Sequence, residues 1–400
     1  QALEQLRTKH PQQESIATSL LGILSLLAAS GVPAHWLSKL HDDSDAVRDT
    51  LSFLKRSSIL QESTDGDKTI IHRLQGQVYR ETYLSNQEKF SEANTNTKTL
   101  LNEIDVDQLA NFEQQRQETR NLVEQVGTIT SQDYSRPLFS DPDFAALLAT
   151  TLRNATDLGM PHLAIALTDS VTRVGDTLGP DHPSTLTARN NLAGAYQTAG
   201  RLDEAIPLYE QNLEDRTRIL GPHHPDTLTA RNNLANAYHD AGRLNEAIPL
   251  HEQNLEDRTR ILGRHHPDTL NSRNNLAGAY DDAGRLDDAI ELFEQNLKDF
   301  ENLLGPHHPH TLLSRNNLAN AYQAAGRLNE AITLYEQTLE DRTRILGPHH
   351  PDTLISRDNL ADAYRTAGRI EDAEKLFETP SDSENEQDGT EEDPDQMTGD

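Results

Sequence analysis

The 400-residue sequence has no cysteine, one tryptophan, two methionines and 5% aromatic residues, and its cations are outnumbered, 36 Lys and Arg against 65 Asp and Glu. Without cysteine there is no disulfide, no thiolate zinc site and no thiol nucleophile, and a reducing, cytoplasmic setting is expected. The formal charge of -29 suits neither nucleic acid nor an anionic membrane, because both require a cationic surface. The longest apolar run, residues 20 to 29, is interrupted by Ser25 and falls short of the roughly 20 residues of a membrane helix. It does not read as a signal peptide either, since Glu14 and a mixed polar stretch precede it in place of a basic leader. At roughly 100 to 200 residues per domain the chain holds two to four folding units. It opens on Gln1 rather than Met, as a piece of a longer protein would.

What is present is repetition. His-Pro recurs at 182, 224, 266, 308 and 350, and Gly-Arg recurs at the same interval of 42, at Gly200, Gly242, Gly284, Gly326 and Gly368. Five units share H-P-x-T-L-x-x-R-x-N-L-A-x-A-Y-x-x-A-G-R, and a degraded sixth, residues 144 to 181, precedes them. Leu186, Leu192, Ala193 and Tyr196 predict an amphipathic helix over 184 to 198, ended by Gly200 in a left-handed conformation. Ala205, Ile206, Tyr209, Leu213, Ile219 and Leu220 predict a longer second helix that stops at Gly221-Pro222. Pro207 and Pro249 are expected near the first turn of that helix, where a missing N–H costs least. Neither helix can bury its apolar stripe alone, so the hairpins must stack.

Leu192-Ala193, Tyr196, Gly200, Ala205 and Tyr209 resemble the small and aromatic positions of the tetratricopeptide repeat, and the 42-residue length with its His-Pro connector resembles kinesin light chains and many bacterial signalling proteins. The resemblance implies a mainly α fold, a right-handed α-solenoid that binds a peptide or protein along the face lined by first helices. It places Asn191, Asn233, Asn275, Asn317 and Asn359 in that groove, where a carboxamide can donate to one peptide group and accept from another. Varied neighbours, Asn236 and Asn320 one turn on and His239 and Asp281 near the helix end, would then tune specificity. The alternative is that the Asn residues only bridge adjacent hairpins. Arg189 and its equivalents at 231, 273, 315 and 357 are expected to pair with acids between repeats. The His-His pairs lack further ligands at metal spacing and are read as connectors. No nucleophile or acid-base constellation stands out, so no enzyme is expected.

Residues 1 to 84 form another domain. Helices over 12 to 29 and 33 to 40, a third capped by Asp45, a hairpin of 58 to 62 with 69 to 71, and a helix from Arg73 to Leu84 make a winged-helix arrangement. Arg48, Lys55 and Arg56 give its third helix some positive charge, but Asp42, Asp43, Asp45 and Asp49 oppose DNA. The runs L-L-G-I-L-S-L-L-A, V-P-A-H-W-L, S-S-I-L-Q-E and I-I-H-R-L-Q-G-Q-V-Y-R resemble the winged helix of NB-ARC or STAND signal-transduction ATPases. That resemblance implies that His72 contacts the phosphates of bound ADP, with ATP or ADP a cofactor only if a nucleotide-binding module lies upstream. No G-x-x-x-x-G-K-[ST] loop occurs in these residues. Residues 85 to 143 are expected to be a helical spacer, with 127 to 142 a loop or hinge, and 182 to 378 the five full repeats. The last stretch, 379 to 400, has nine acids and no base and is expected to be a disordered tail.

The sequence thus predicts the sensor part of a STAND-type signalling protein whose repeats bind a neutral or basic protein segment. A free-standing interaction scaffold and a DNA-binding regulator with a peptide-sensing array remain as alternatives. Partner identity and oligomeric state are not written in the residues.

Overall fold

The fold was analysed in a computed structural model that describes residues 2 to 9 and 11 to 377; the expected acidic tail, 379 to 400, lies outside the described residues. The chain divides into two compact units, 1 to 250 and 251 onward.

In the first unit, α1 (Ala2–Lys9) and α2 (Pro11–Leu26) are followed by the short strand β1 (Val32–Pro33), α3 (Ala34–Leu37), α4 (Ser44–Arg56), β2 (Leu60–Glu62), β3 (Lys68–Ile71) and α5 (Arg73–Leu84). The strands form one antiparallel sheet in the order β1-β3-β2, with Val32 opposite Thr69 and Leu60 opposite Ile71. Pro33 is tolerated because β1 is an edge strand, where a ladder donor is dispensable. Strand β1 was not legible in the sequence: two residues are too few for a period to show. Gly31, at φ 107°, is required where α2 turns into β1, since a Cβ there would sit 2.7 Å from Ile70 and 3.1 Å from the Thr69 carbonyl.

The cap of α4 is Asp43, which accepts from the Ala46 N–H at 2.9 Å, and not Asp45. Asp45 instead lies in the first turn and pairs with Arg48 at 2.7 Å. Asp43 wins because the helix starts at Ser44, two residues earlier than a cap at Asp45 implies.

Helices α6 (Gln87–Asn102) and α7 (Phe112–Thr130), capped by Asn86 and Asn111, come next, then α8 (Arg136–Phe139) and α9 (Pro142–Asp157). The expected loop over 127 to 142 is therefore overturned at 127 to 130, the end of α7, and again at 136 to 139, which form α8. Val126 and Ile129 are buried, and Gly127 sits within the helix because a Cβ would come to 3.3 Å of Leu167. Glycine here permits close helix approach rather than ending the helix.

Helix α7 also holds the N-terminal elements. The fully buried Gln125 accepts from the Ala28 N–H at 2.8 Å and donates to the Gly31 carbonyl at 3.0 Å. Glu118 accepts from the Trp36 indole at 2.7 Å and meets His35 Nε2 at 2.7 Å. Lys68 reaches Glu124 at 2.8 Å. One buried apolar cluster then runs from Leu6 and Leu20 through Leu122 and Phe144 to Tyr209 and Ala247, so residues 1 to 84, the spacer and the first repeats share a core. Its full burial of side chains such as Leu20 and Phe144 contributes about 1.5–3 kcal/mol each.

The degraded repeat is α9 with a second helix split into α10 (Pro161–Ile165) and α11 (Thr168–Leu178). Full hairpins follow: α12 (Pro183–Thr198) with α13 (Leu202–Leu220), and α14 (Pro225–Asp240) with α15 (Leu244–Leu262), which continues into the second unit. There α16 (Pro267–Asp282), α17 (Leu286–Leu304), α18 (Pro309–Ala324), α19 (Leu328–Leu346), α20 (Pro351–Thr366) and the short α21 (Ile370–Lys375) repeat the pattern. Consecutive packed hairpins of this kind make a solenoid.

Each first helix ends in a Schellman turn: Gly200 at φ 73° lets the Arg201 N–H reach the Tyr196 carbonyl at 2.8 Å. Pro207 and Pro249 sit inside their helices rather than at the first turn, because α13 begins at Leu202 and α15 at Leu244. The histidine before each proline is the cap of the next first helix: His266 Nδ1 accepts from the Asp268 N–H at 3.2 Å, and His182, His224, His308 and His350 do the same.

Two outcomes follow for the α7 junction. Gln125→Ala leaves a buried donor and a buried acceptor unpaired and should lower unfolding stability by about 2–4 kcal/mol, read from urea melts. Burial pushes the Glu118 carboxyl up, but the bonds from His35 and Trp36 outweigh it and leave its pKa below the ordinary value. A carboxyl lowered by folding stabilises above its unfolded pKa of about 4.3 and loses that contribution as pH falls through the folded pKa. Wild-type melts should therefore show a loss of stability below about pH 4.3 that the Glu118→Gln variant lacks.

Candidate functional site

The face built by successive first helices carries the residues that the sequence singles out. Asn191 donates from Nδ2 to the Ala149 carbonyl on α9 at 2.8 Å. Asn233 donates to Asn190 Oδ1 at 3.1 Å, Asn317 to Asn274 Oδ1 at 2.9 Å and Asn359 to Asn316 Oδ1 at 3.0 Å. Asn275 holds the same half-buried position. Each amide donor thus stitches one first helix to the one before it. At Asn233, Asn317 and Asn359 no hydrogen bond among the described residues reaches the carboxamide oxygen, which leaves that acceptor, together with the second N–H of each amide, for a ligand.

A groove of about 370 Å³ lies along this face where α9 meets α12, lined by Ala149, Thr150, Arg153, Ser184, Thr187 and Asn191. Further along the helices, Asn236 and His239 are half-buried, and the exposed Asn320 accepts from the Tyr335 hydroxyl. Gln197, equivalent to His239, donates to Asp240 at 2.6 Å, and Gln323 donates to Asp362 at 2.8 Å. Asp281 occupies that same position with a buried Oδ1 that has no hydrogen-bond partner among the described residues. Burial and the neighbouring Asp282 hold its pKa above the ordinary carboxylate value.

The repeated arginines differ in part from expectation. Their short ion pairs are within a repeat, Arg189 with Asp215 at 2.6 Å, Arg273 with Asp299 at 2.8 Å and Arg315 with Asp341 at 2.9 Å, while Arg315 also comes within 3.8 Å of Glu301 on the second helix of the preceding repeat, as expected. In each short pair the acid lies 26 residues on, on the second helix of the same hairpin, because the two helices cross there. The other end of the guanidinium accounts for the link to the preceding unit: Arg231 donates to the Pro222 carbonyl, Arg273 to that of Arg264 and Arg315 to that of Pro306. Arg273 and Arg315 therefore each lock their hairpin to the connector entering it.

A second link joins neighbours at the far end of the first helix. Tyr238 donates to Glu210 at 2.5 Å, Tyr280 to Glu252, Tyr322 to Glu294 and Tyr364 to Glu336, each of the last three at 2.6 Å. Arg243, Arg285, Arg327 and Arg369 stack on these rings within 4.4 Å of the centroid. Burial and the glutamate raise each tyrosine hydroxyl to about 12. The sequence reading missed this bridge, although Glu recurring 28 residues before each Tyr is visible in the repeat.

Outside the array, His72 is exposed at the start of α5, and its imidazole makes no hydrogen bond to any described residue. It supplies one donor; with no phosphate loop in the sequence, the residues present do not build a nucleotide site. Among the described residues no group of three or more His, Asp or Glu could hold a metal ion, and no helix is long and apolar enough to cross a membrane.

A tetratricopeptide repeat family model matches residues 148–214, 184–253, 227–301, 282–342 and 311–379, together more than half of the chain. The chain belongs to the tetratricopeptide repeat family. Among curated proteins no relative matches it. Of solved structures, it is similar to the nearly identical TPR-like repeats of a kinesin light chain from Podosopora anserina, with 34% identity over 51% of this chain and 97% of that chain at a TM-score of 0.47. It is also similar to BtubC from P. vanneervenii, with 20% identity over 64% of this chain and 96% of that one at a TM-score of 0.44. A STAND protein with a tetratricopeptide repeat sensor from Pyrococcus horikoshii shows 17% identity over 90% of this chain and 55% of that chain, again at 0.44; this chain spans about half of that protein's length.

The tetratricopeptide array rests on its buried ion pairs. Arg273 and Asp299 are 7% and 3% exposed, so Asp299→Asn strands a buried guanidinium and should cost about 3–5 kcal/mol. Replacing both, Arg273→Met with Asp299→Leu, should recover most of that loss in the same denaturant melts, since an apolar pair of similar volume carries no desolvation penalty.

Proposed function

We propose that this protein is a peptide- or protein-binding scaffold that serves as the sensor part of a STAND-type signalling protein. Membership of the tetratricopeptide repeat family supports protein partners. The observation that carries the binding reading is the carboxamide oxygens of Asn233, Asn317 and Asn359, left on the first-helix face while one N–H of each amide bonds between helices. Such oxygens accept from the backbone N–H groups of an extended segment whatever its sequence. The acidic balance of the chain favours a neutral or basic segment.

The sensor reading rests on the shared core of the first unit. Residues 1 to 84 have the element order and sheet order of a winged helix, and Gln125, Glu118 and Glu124 of α7 fasten them to the helices that support the first repeats. A ligand that favours one packing of the repeats therefore acts on the winged helix without an intervening flexible linker; without differential binding it would shift nothing. On α5 the exposed Leu74 and Val78, at 67% and 58%, lie one turn apart close to His72, a face suited to a neighbouring module. In a nucleotide-bound partner module His72 would offer a donor to phosphate. The DNA-binding alternative is weaker, since Arg48 is paired with Asp45 and Lys55 with Glu62.

Selection from a displayed random-peptide library tests the scaffold. Selected peptides should bind the Asn233→Ala, Asn275→Ala, Asn317→Ala triple variant about tenfold more weakly or worse, while the variant keeps a cooperative helical melt at somewhat lower temperature. Unchanged affinity with a lowered melt would make the ladder purely structural. Reading the coding sequence upstream of Gln1 tests the sensor role: a phosphate loop within a strand-helix pattern is expected, and an in-frame start at Gln1 would leave a stand-alone scaffold.

A further inference from the structure

The first-helix face changes character along the array at a single position. The fifth residue of the helix is Thr187 in α12, Thr229 in α14 and Asn271 in α16, but Leu313 in α18 and Ile355 in α20. Leu313 and Ile355 are 49% and 52% exposed. Packing does not call for aliphatic residues there, because three earlier repeats hold the same helix with Thr or Asn. The face is the ligand-accessible one, since Thr187 lines the groove beside Asn191.

Helices α18 and α20 lie side by side, tied by Asn359 to Asn316 at 3.0 Å and by Gln323 to Asp362 at 2.8 Å. Leu313 precedes Asn316 by three residues and Ile355 precedes Asn359 by four. Both therefore sit one turn before the bonded pair, on the sides of the helices that meet. Charge changes at the same place. Position eight of the helix is Asn190, Asn232, Asn274 and Asn316 in the earlier repeats and Asp358 in α20, while Asp362 replaces a glycine or asparagine. Of the arginines of α20, Arg357 stacks its guanidinium on the Phe377 ring at 5.1 Å and Arg365 lies three residues beyond Asp362.

We propose that α18 and α20 form a subsite for an aliphatic side chain of an extended peptide that carries Lys or Arg beside it. Leu313 and Ile355 take the apolar side chain, and Asp358 with Asp362 takes the cation. This rests on the peptide-binding reading above and adds the chemistry of the ligand. Charge rejects the other occupants at hand: residues 379 to 400 carry nine acids and no base, and the same face of a second copy is equally acidic.

The experiment uses the full chain and a displayed library of random peptides about twelve residues long, enough to span several repeats in extended form. Selection should enrich an aliphatic residue within one or two positions of Lys or Arg. Those peptides should bind the Leu313→Thr, Ile355→Thr double variant about tenfold more weakly. They should also bind Asp358→Asn more weakly, with a reduced dependence on salt. The substitutions are residues that other repeats carry, so helical melts should be unchanged, and Asp358→Asn remains informative if the double variant fails to fold. Selected peptides without the aliphatic-basic pair, or with equal affinity for both variants, overturn the subsite. If such peptides still lose affinity in the Asn233, Asn275, Asn317 triple variant, the general peptide-binding reading survives; a library that yields no binder at all overturns both.

Discussion

The repeats that open with α16 and α18 depend on one interaction, the buried arginine that the first helix sends across its hairpin. A helical hairpin with one apolar stripe is marginal alone, and stacking by apolar contact does not fix register along the helix axis. The Arg273–Asp299 pair does so geometrically: a guanidinium with fixed donor directions must meet a carboxylate on the second helix and, at its other end, a backbone carbonyl of the connector. A buried pair of this kind adds little net stability over an apolar replacement, and its value lies in specifying one arrangement. The histidine cap, the Schellman glycine and the tyrosine-glutamate bridge then act on elements whose relative position is already set.

Much of the repeat was legible because the period prints the same residue in the same environment five times. Leu, Ala, Tyr and Gly at 42-residue spacing gave helices, turns and core together, and the helix over 184 to 198 differs from α12 by a residue at its start. What was not legible is instructive. The partner of Arg189 was assigned to the wrong side because periodicity gives every pair at one spacing an equivalent at that spacing plus 42; sequence alone cannot separate Asp215 of the same hairpin from an acid one unit away. Residues 127 to 142 read as a loop because they contain Ser, Asp and two prolines, and only the approach of Leu167 to Gly127 shows that the first of them pack as helix. Strand β1 was missed since it exists only by pairing with β3, a contact 37 residues distant in sequence.

The candidate site was legible in position but not in chemistry. The Asn residues do line the first-helix face, yet one N–H of Asn191, Asn233, Asn317 and Asn359 bonds to the preceding first helix, so the ladder is structural through that bond. The two roles set out for these residues as alternatives are compatible because a carboxamide has two N–H donors and an acceptor oxygen. On the proposed binding reading, the oxygens of Asn233, Asn317 and Asn359 accept from backbone N–H groups or cationic side chains of a segment.

Charge bears on the proposed ligand as well. In the second unit the carboxamide oxygens of Asn317 and Asn359 and the aspartates of α20 add partial or full negative charge to the first helices, while Arg315 is paired with Asp341. On the proposed binding reading a basic segment gains from these groups, the more so at low ionic strength. Because these acceptors are carried by helices locked at both ends, their geometry is set before a ligand arrives, and binding need not order the groove. The same packing continues through α7 to the N-terminal elements, which share one apolar core with the first repeats.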